Sequence, residues 1–348
     1  PIDTKNVRIY ACGPTVYDFI HIGNARPLVI FDVLVRLLRI IYPKVTYVRN
    51  ITDIDDKINK RAIEKKINIS ELTNETIKNF HKDAVALGNL KPDFEPKATD
   101  HISEMIEMID TLISNGFAYV SSGNVLFSVK KYKNYGALSG RSLDEMISGS
   151  RIEVAEYKEN PGDFVLWKPS SENLPGWDSP WGRGRPGWHI ECSAMSKKYL
   201  GTKFDIHAGG LDLIFPHHEN EIAQSCCANN SNIMANYWLH NGYVTSDGEK
   251  MSKSLGNFAT INSLLLNFRG EAIRYALMQA QYRAPLSFSK KSLDEATKSL
   301  SRLYRAAEDF EVNDEQDTHI IENLYDDLNS PKALARLHYL ADEANKGS

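Results

Sequence analysis

The sequence lacks the features that mark secreted, membrane-embedded and nucleic-acid-coating proteins. Its 348 residues contain four cysteines, too few for a disulfide framework in a chain of this length. No apolar run reaches the roughly 18 residues that a membrane span requires, and no signal-peptide pattern opens the chain. The net charge of -4 argues against a general basic surface for phosphate binding. We therefore predict a cytoplasmic protein of two or three domains that binds no membrane.

The order of the predicted elements indicates an α/β fold. Residues 7–12 are typical of a strand, residues 28–38 of a buried helix, and residues 45–48 of a second strand. Strand, helix and strand at this spacing predict a right-handed crossover in a parallel, doubly wound sheet. Ligands of such sheets bind beyond the carboxyl ends of the strands, where we expect Cys12 and Thr52 to lie.

Two cysteines, one histidine and one glutamate form a candidate metal site. His217 and Glu221 are four residues apart, so on a helix they can point at one atom, although such a pair alone is more often solvated. Cys12 ends the first predicted strand, and Cys192 follows a glycine-rich loop. Two thiolates, an imidazole and a carboxylate favour tetrahedral Zn²⁺ over Mg²⁺ or Ca²⁺. A catalytic zinc and a closed structural zinc are both compatible with this set.

The other two cysteines have no such neighbours in the sequence. Cys226 and Cys227 lie in a helical run of small residues. Free cysteine packs as a small apolar group, so we predict that both thiols are buried and inert.

Two further motifs are suited to phosphate. The run from His21 to Asn24 precedes the buried helix, whose N-terminus offers N–H groups, and Gly23 permits close backbone approach. Lys250 and Lys253 follow a predicted turn and have small hydroxyl neighbours, which suits a phosphate clamp. Taken alone, the first motif could be a capped core helix and the second a solvated basic loop.

Several long segments together resemble class I aminoacyl-tRNA synthetases, and specifically the cysteinyl-tRNA synthetase family. The segments that carry the resemblance are residues 12–18 with 21–23, 47–57, 184–195, 215–221 and 250–254. The family's zinc ligands correspond to Cys12, Cys192, His217 and Glu221. The resemblance implies that this metal binds the substrate's own thiolate. It would thereby separate cysteine from serine without an editing step, which an apolar pocket cannot do well.

The resemblance also implies how ATP is bound. His21, Gly23, Asn24, Lys250 and Lys253 would contact the nucleotide. Among them, His21 and the two lysines would take part in catalysis, the lysines by stabilising charge on the pyrophosphate. Asn24 stands where the family signature ends in histidine, and it can donate a hydrogen bond but carry no charge.

Four more residues are expected in the amino-acid pocket by the same resemblance. Trp188 would close over the substrate side chain, although a rim tryptophan could simply pack there. Thr52 and Asp212 would lie near the ammonium group or the adenylate, Asp212 having the charge for an ammonium partner. His207 would line the pocket, while a structural role at a strand end is equally open.

The implied reaction has two steps. The carboxylate of cysteine attacks the α-phosphate of ATP, with Mg²⁺ supporting pyrophosphate release. The acyl group is then transferred to the 3′ end of tRNA(Cys). The enzyme is expected to be monomeric. One alternative is a ligase that transfers activated cysteine to a small amino-sugar, as in mycothiol biosynthesis, which the helical C-terminal region disfavours. Another is a non-catalytic RNA-binding paralogue, which the intact lysines and metal-binding residues disfavour.

Composition and resemblance together predict five segments. They are the first half of a Rossmann-like catalytic domain (1–92), an inserted α+β connective subdomain (93–161), the second half of the catalytic domain with the zinc site (162–245), the lysine loop with a linking region (246–290) and the start of a helical tRNA-binding bundle (291–348). Both ends are expected to be truncated relative to a complete protein.

Overall fold

The computed structural model describes residues 1–141, 145, 155–246, 249–250, 259–308, 310–311 and 315–347. These residues form two compact units. The first unit comprises Pro1–Tyr17, Thr46–Thr73 and Pro92–Leu239, and the second comprises Asp18–Val45, Asn74–Lys91 and His240–Ser348. Within the described ranges, no helix combines the length and the apolar character that crossing a membrane would need.

A four-stranded sheet provides the framework of the candidate site. Its strands are β1 (Val7–Ala11), β2 (Val45–Arg49), β7 (Phe204–Gly210) and β8 (Ala235–Asn241), in the order β2-β1-β7-β8. β1 and β7 run parallel, with Ala11 opposite Ala208. All five residues of β2 are buried, as is typical of a strand covered on both faces. The predicted α/β class with a parallel sheet is confirmed.

A second sheet is antiparallel and combines two strands from the predicted insertion (93–161) with two strands that follow it in the chain. Its strands are β3 (Ala118–Ser121), β4 (Asn124–Phe127), β5 (Phe164–Pro169) and β6 (Gly184–Pro186). The abundance of Pro, Gly and Trp between residues 169 and 188 predicts loop, but β6 lies within that stretch and pairs with β5. Gly184 permits this pairing, because a Cβ there would come within 2.4 Å of Trp167 Nε1.

Several helices connect the strands of these two sheets along the chain. In chain order they are α1 (Ile22–Ile41), α2 (Asp56–Lys65), α3 (Ile69–Ala86), α4 (Ile102–Ser114), α5 (Trp188–Leu200) and α6 (Glu219–Ala228). Helical periodicity from residue 57 to about residue 87 predicts helix, and the structure has two helices there, α2 and α3. Lys66 ends α2 in the left-handed conformation, with φ of 56°.

The main core of the first unit lies around α4, α5 and α6. Tyr10, Phe127 and Trp167 are fully buried there, and Cys192 belongs to the same apolar cluster. The candidate site is therefore built into the core of its unit rather than onto a surface loop.

The second unit contains α1, a small sheet and a group of helices. The sheet has the strands β9 (Val244–Ser246), β10 (Glu249–Lys250) and β11 (Leu286–Ser287), with β9 in the centre. The helices are α7 (Ile261–Leu264), α8 (Gly270–Met278), α9 (Lys290–Ala307), α10 (Thr318–Tyr325) and α11 (Ser330–Gly347). The spacing of apolar residues from residue 292 onward predicts packed helices, and α9, α10 and α11 lie there.

Candidate metal centre

The four predicted ligands come from three elements whose ends meet in the first unit. Cys12 directly follows β1, and its N–H donates to Ala208 O on β7 at 3.0 Å. Cys192 lies in the second turn of α5. His217 precedes α6, in a turn over Ile214–His218, and Glu221 is in the first turn of that helix.

The ligand atoms of these four residues lie close together and are almost closed to solvent. All lie within 4.8 Å of one another. The two sulfurs are 3.9 Å apart, His217 Nε2 is 3.0 Å from Glu221 Oε1, and Cys12 Sγ is 3.6 Å from the same oxygen. Glu221 is 0% exposed and Cys192 is 2% exposed.

This arrangement fits zinc. Tetrahedral coordination with zinc–sulfur bonds of about 2.3 Å separates two sulfurs by about 3.8 Å. The observed separation of 3.9 Å between Cys12 Sγ and Cys192 Sγ is close to that value. Because the donors also include an imidazole and a carboxylate, the set suits a borderline-soft cation better than a hard one.

A second possible donor group shares two of the four residues. Cys12, His207, His218 and Glu221 also have ligand atoms within 4.8 Å of one another. His218 Nε2 is 3.4 Å from Cys12 Sγ, and His207 Nε2 is 2.8 Å from Glu221 Oε2. Glu221 thus presents one oxygen to His217 and the other to His207. Sequence reasoning did not identify His218, although its position beside His217 was the available signal.

The buried charges in the cluster stabilise one another. Although burial acts to raise it, the neighbouring His207 and His217 hold the pKa of Glu221 well below its ordinary value. Against the opposing effect of burial, Glu221 raises the pKa of His217 to about 10. A metal must displace a proton from this imidazole, so metal binding competes with protonation here.

The two thiols differ in acidity. The hydrogen bond from Cys12 lowers the pKa of the Cys192 thiol to about 6, although burial opposes the shift. Burial raises the pKa of Cys12 well above its ordinary value. Without metal, Cys192 is therefore the thiolate of the pair, and it accepts a hydrogen bond from the protonated Cys12 thiol.

Trp188 and His189 hold the ring of His217. The Trp188 and His217 rings stack with centroids 4.2 Å apart and an interplanar angle of 21°. His189 Nδ1 is 2.9 Å from His217 Nδ1. This leaves Nε2 of His217 directed at Glu221. Trp188 is 39% exposed, so the ring that stacks on His217 also reaches solvent.

Thr52 and Asp212 occupy different settings. Thr52 is buried, donates to Glu191 Oε2 at 3.0 Å and accepts from Asn50 Nδ2 at 3.1 Å. Asp212 is exposed, in a turn that directly follows β7. The network of Asn50 and Glu191 around Thr52 was not predicted, because isolated buried polar residues leave no periodic pattern.

The predicted phosphate motif opens α1 in the second unit. His21 is the N-cap of this helix, and Asn24 Oδ1 accepts from the His21 N–H at 3.3 Å. The Ile22 N–H donates to Ala259 O at 3.0 Å. Asn24 is exposed and caps the helix through its amide oxygen, a role the sequence did not reveal.

The lysine motif is only partly described. Lys250 lies on β10, where its backbone is opposite Thr245. Lys253 lies outside the described residues.

The chain is similar to known synthetases over its whole length. Residues 1–298 match the family model of tRNA synthetases class I (C) catalytic domain. A cysteine–tRNA ligase of Rhodospirillum rubrum is 57% identical over 356 residues, which cover 100% of this chain and 77% of that relative. A cysteine–tRNA ligase of Gluconobacter oxydans is also 57% identical, over 349 residues, with the same two shares.

Solved structures share the fold at low identity. The Mycobacterium tuberculosis methionyl-tRNA synthetase in complex with methionyl-adenylate aligns with a TM-score of 0.72 at 15% identity. The alignment covers 98% of this chain and 83% of that one. At this identity the likeness concerns the fold alone.

Proposed function

Because the chain belongs to the family of tRNA synthetases class I (C) catalytic domain, we propose that it activates L-cysteine with ATP and transfers it to tRNA(Cys). The observation that carries the proposal is the buried cluster of Cys12, Cys192, His217 and Glu221 at the end of β1. Two thiols beside an imidazole and a carboxylate form a donor set that can select a substrate through its sulfur.

The four residues would hold one Zn²⁺. When bound, this ion would take the substrate's sulfur as a thiolate, a form that serine cannot provide. Glu221 would remain ionised because His207 Nε2 lies 2.8 Å from its second oxygen. Trp188 would exclude water from the His217 side of the cluster, on which its ring stacks.

The remaining pocket residues would orient the amino-acid backbone. Asp212 is exposed directly after β7 and has the charge to bind an ammonium group. The Thr52 hydroxyl donates to Glu191, so we propose that Thr52 supports substrate binding mainly by fixing the position of this carboxyl group.

ATP binding would depend on the start of α1 and on the lysine motif. His21, Gly23 and Asn24 would contact the nucleotide at a helix N-terminus, where exposed N–H groups favour phosphate. Since the oxygen of Asn24 accepts from His21, its amide N–H groups are the atoms suited to a phosphate oxygen. Lys250 and Lys253 would stabilise charge on the departing pyrophosphate, together with Mg²⁺.

The proposal extends to the setting of the reaction. We propose a monomeric enzyme that acts in the cytoplasm. The division into five segments, including a tRNA-binding bundle from residue 291, is part of the same proposal.

Two assays test this function in sequence. Exchange of pyrophosphate into ATP should occur with cysteine as the amino acid and should be at least about a hundredfold weaker with serine. Charging of purified tRNA(Cys) should follow. Absence of exchange would refute the enzymatic function, whereas exchange without tRNA charging would indicate a ligase that uses a small amino acceptor.

A further inference from the structure

Asn50 connects the two cysteines of the candidate metal centre. Its side chain is 1% exposed and lies directly after β2. Asn50 Oδ1 accepts from the Gly13 N–H at 2.8 Å, and Cys192 Sγ lies 3.7 Å from the same oxygen. Asn50 Oδ1 thus contacts both Gly13, which follows Cys12, and Cys192.

The contact with Gly13 is closer than any other residue would allow. A Cβ at this position would lie 1.6 Å from the Asn50 carbonyl oxygen. Backbone proximity and the side-chain hydrogen bond therefore act together on the residue that follows Cys12. The position of the first thiol depends on Asn50 through this contact.

A chain of hydrogen bonds leads from Asn50 to the second cysteine. Asn50 Nδ2 donates to Thr52 Oγ1 at 3.1 Å, and this hydroxyl donates to Glu191 Oε2 at 3.0 Å. Glu191 precedes Cys192 on α5, and both are buried. The start of this helix is held against the strand-end loop by polar contacts in the interior, where each lost partner is costly.

We propose that Asn50 is a positioning residue that sets the separation of the Cys12 and Cys192 sulfurs for metal binding. The proposal rests on the proposed function, because it assigns a role within the same metal site. Asn50 accepts from Gly13 through Oδ1 and donates to Thr52 through Nδ2 at once, and an amide supplies both atoms from one planar group. Aspartate would keep the acceptor and lose the donor.

The experiment compares Asn50→Asp with Asn59→Asp in the full chain. Asn59 is a second buried amide of the same unit, on α2, so its variant is a matched control. Zinc affinity is measured by competition with a chromophoric chelator, and the sulfur-to-cobalt charge-transfer band is recorded after cobalt substitution. We expect Asn50→Asp to bind zinc about 10- to 100-fold more weakly, to alter the cobalt band and to raise KM for cysteine but not for ATP. Asn59→Asp should leave all three unchanged.

The outcomes separate this inference from the proposed function. If wild-type protein binds zinc and Asn50→Asp matches it in affinity and cobalt spectrum, the inference is overturned while the function stands. If wild-type protein neither binds metal nor activates cysteine, the proposed function itself is refuted. Should Asn50→Asp fail to fold, Thr52→Val breaks the same chain of hydrogen bonds with little change of shape. Weakened zinc binding in that variant would support the inference, and wild-type affinity would contradict it.

Discussion

The two pairs of cysteines in the first unit differ most in their neighbours. Cys192, Cys226 and Cys227 are all buried, and Cys12 is half-buried. Around Cys12 and Cys192 lie imidazole and carboxylate ligand atoms within 4.8 Å. Cys226 and Cys227 share the apolar core with Cys192 but belong to no such donor group among the described residues. Burial alone does not identify a metal site, and the donor atoms that surround a thiol do.

The difference in surroundings also separates the thiols by acidity. The hydrogen bond from Cys12 lowers the pKa of Cys192 to about 6, against the effect of burial. Burial raises the pKa of Cys227 to about 12. Near neutral pH, the first pair therefore holds a thiolate, and Cys227 stays protonated.

Replacing one cysteine of each pair should give the largest contrast. We expect Cys192→Ser to lose bound zinc and to slow cysteine-dependent pyrophosphate exchange roughly a thousandfold, because a ligand set acts as a unit. Cys226→Ala should keep both properties, since its sulfur lies in the apolar core beside Tyr132 and outside the metal-binding group. Metal content by atomic emission and exchange rates check this, and equal zinc content in the two variants would remove the distinction between the pairs.

A smaller effect is expected from the histidine behind the metal-site carboxylate. His207→Ala removes the partner 2.8 Å from Glu221 Oε2, so zinc affinity should fall about 10- to 100-fold. His207→Gln, which keeps a donor, should recover part of the loss. Chelator competition measures both variants, and unchanged affinity in His207→Ala would show that Glu221 needs no support.

Thiol labelling should sharpen the comparison without any mutation. In metal-free protein near pH 7, iodoacetamide should label Cys192, the thiolate of the first pair, roughly tenfold faster than Cys226 and Cys227, since the thiolate is the reactive form. Added zinc should protect only the first pair. Peptide mass spectrometry resolves the sites, and equal labelling of the two pairs would contradict the assignment.

The smallest expected effect is on stability at high pH. Burial raises the pKa of Cys227 from 9.0 to about 12, so the unfolded chain loses this thiol proton first as the pH rises. The stabilisation is complete below about pH 9 and is lost between about pH 9 and about pH 12. Raising the pH from about 8 to about 10 should therefore lower the free energy of unfolding of wild type through this thiol. In Cys227→Ala, which lacks the thiol, we expect the decrease to be smaller by up to about 1 kcal/mol. Urea denaturation at several pH values measures the difference; parallel curves would indicate that the thiol is not shielded.

The residue types of the candidate ligands could be selected from the sequence because zinc chemistry restricts them. Cys12 was expected at a strand end from local periodicity, and the structure has it directly after β1. His217 and Glu221 were expected on one helix. His217 lies in a π-helical turn that leads directly into α6, and its Nε2 is 3.0 Å from Glu221 Oε1.

The supporting residues could not be predicted in the same way. Asn50 and Glu191 lie far apart in the sequence, and their side chains are linked through Thr52. His218 approaches Cys12 only because the turn before α6 directs two successive imidazoles into one cluster. Such contacts depend on tertiary packing, which leaves no regular spacing along the chain.

The most direct test of substrate selection by the cluster uses cobalt-substituted protein. Cysteine added in stoichiometric amount should intensify the sulfur-to-cobalt charge-transfer absorption, because a third sulfur joins the two from Cys12 and Cys192. Serine at the same concentration should leave the spectrum unchanged. No change with cysteine, or the same change with serine, would contradict the selection of cysteine through its thiolate.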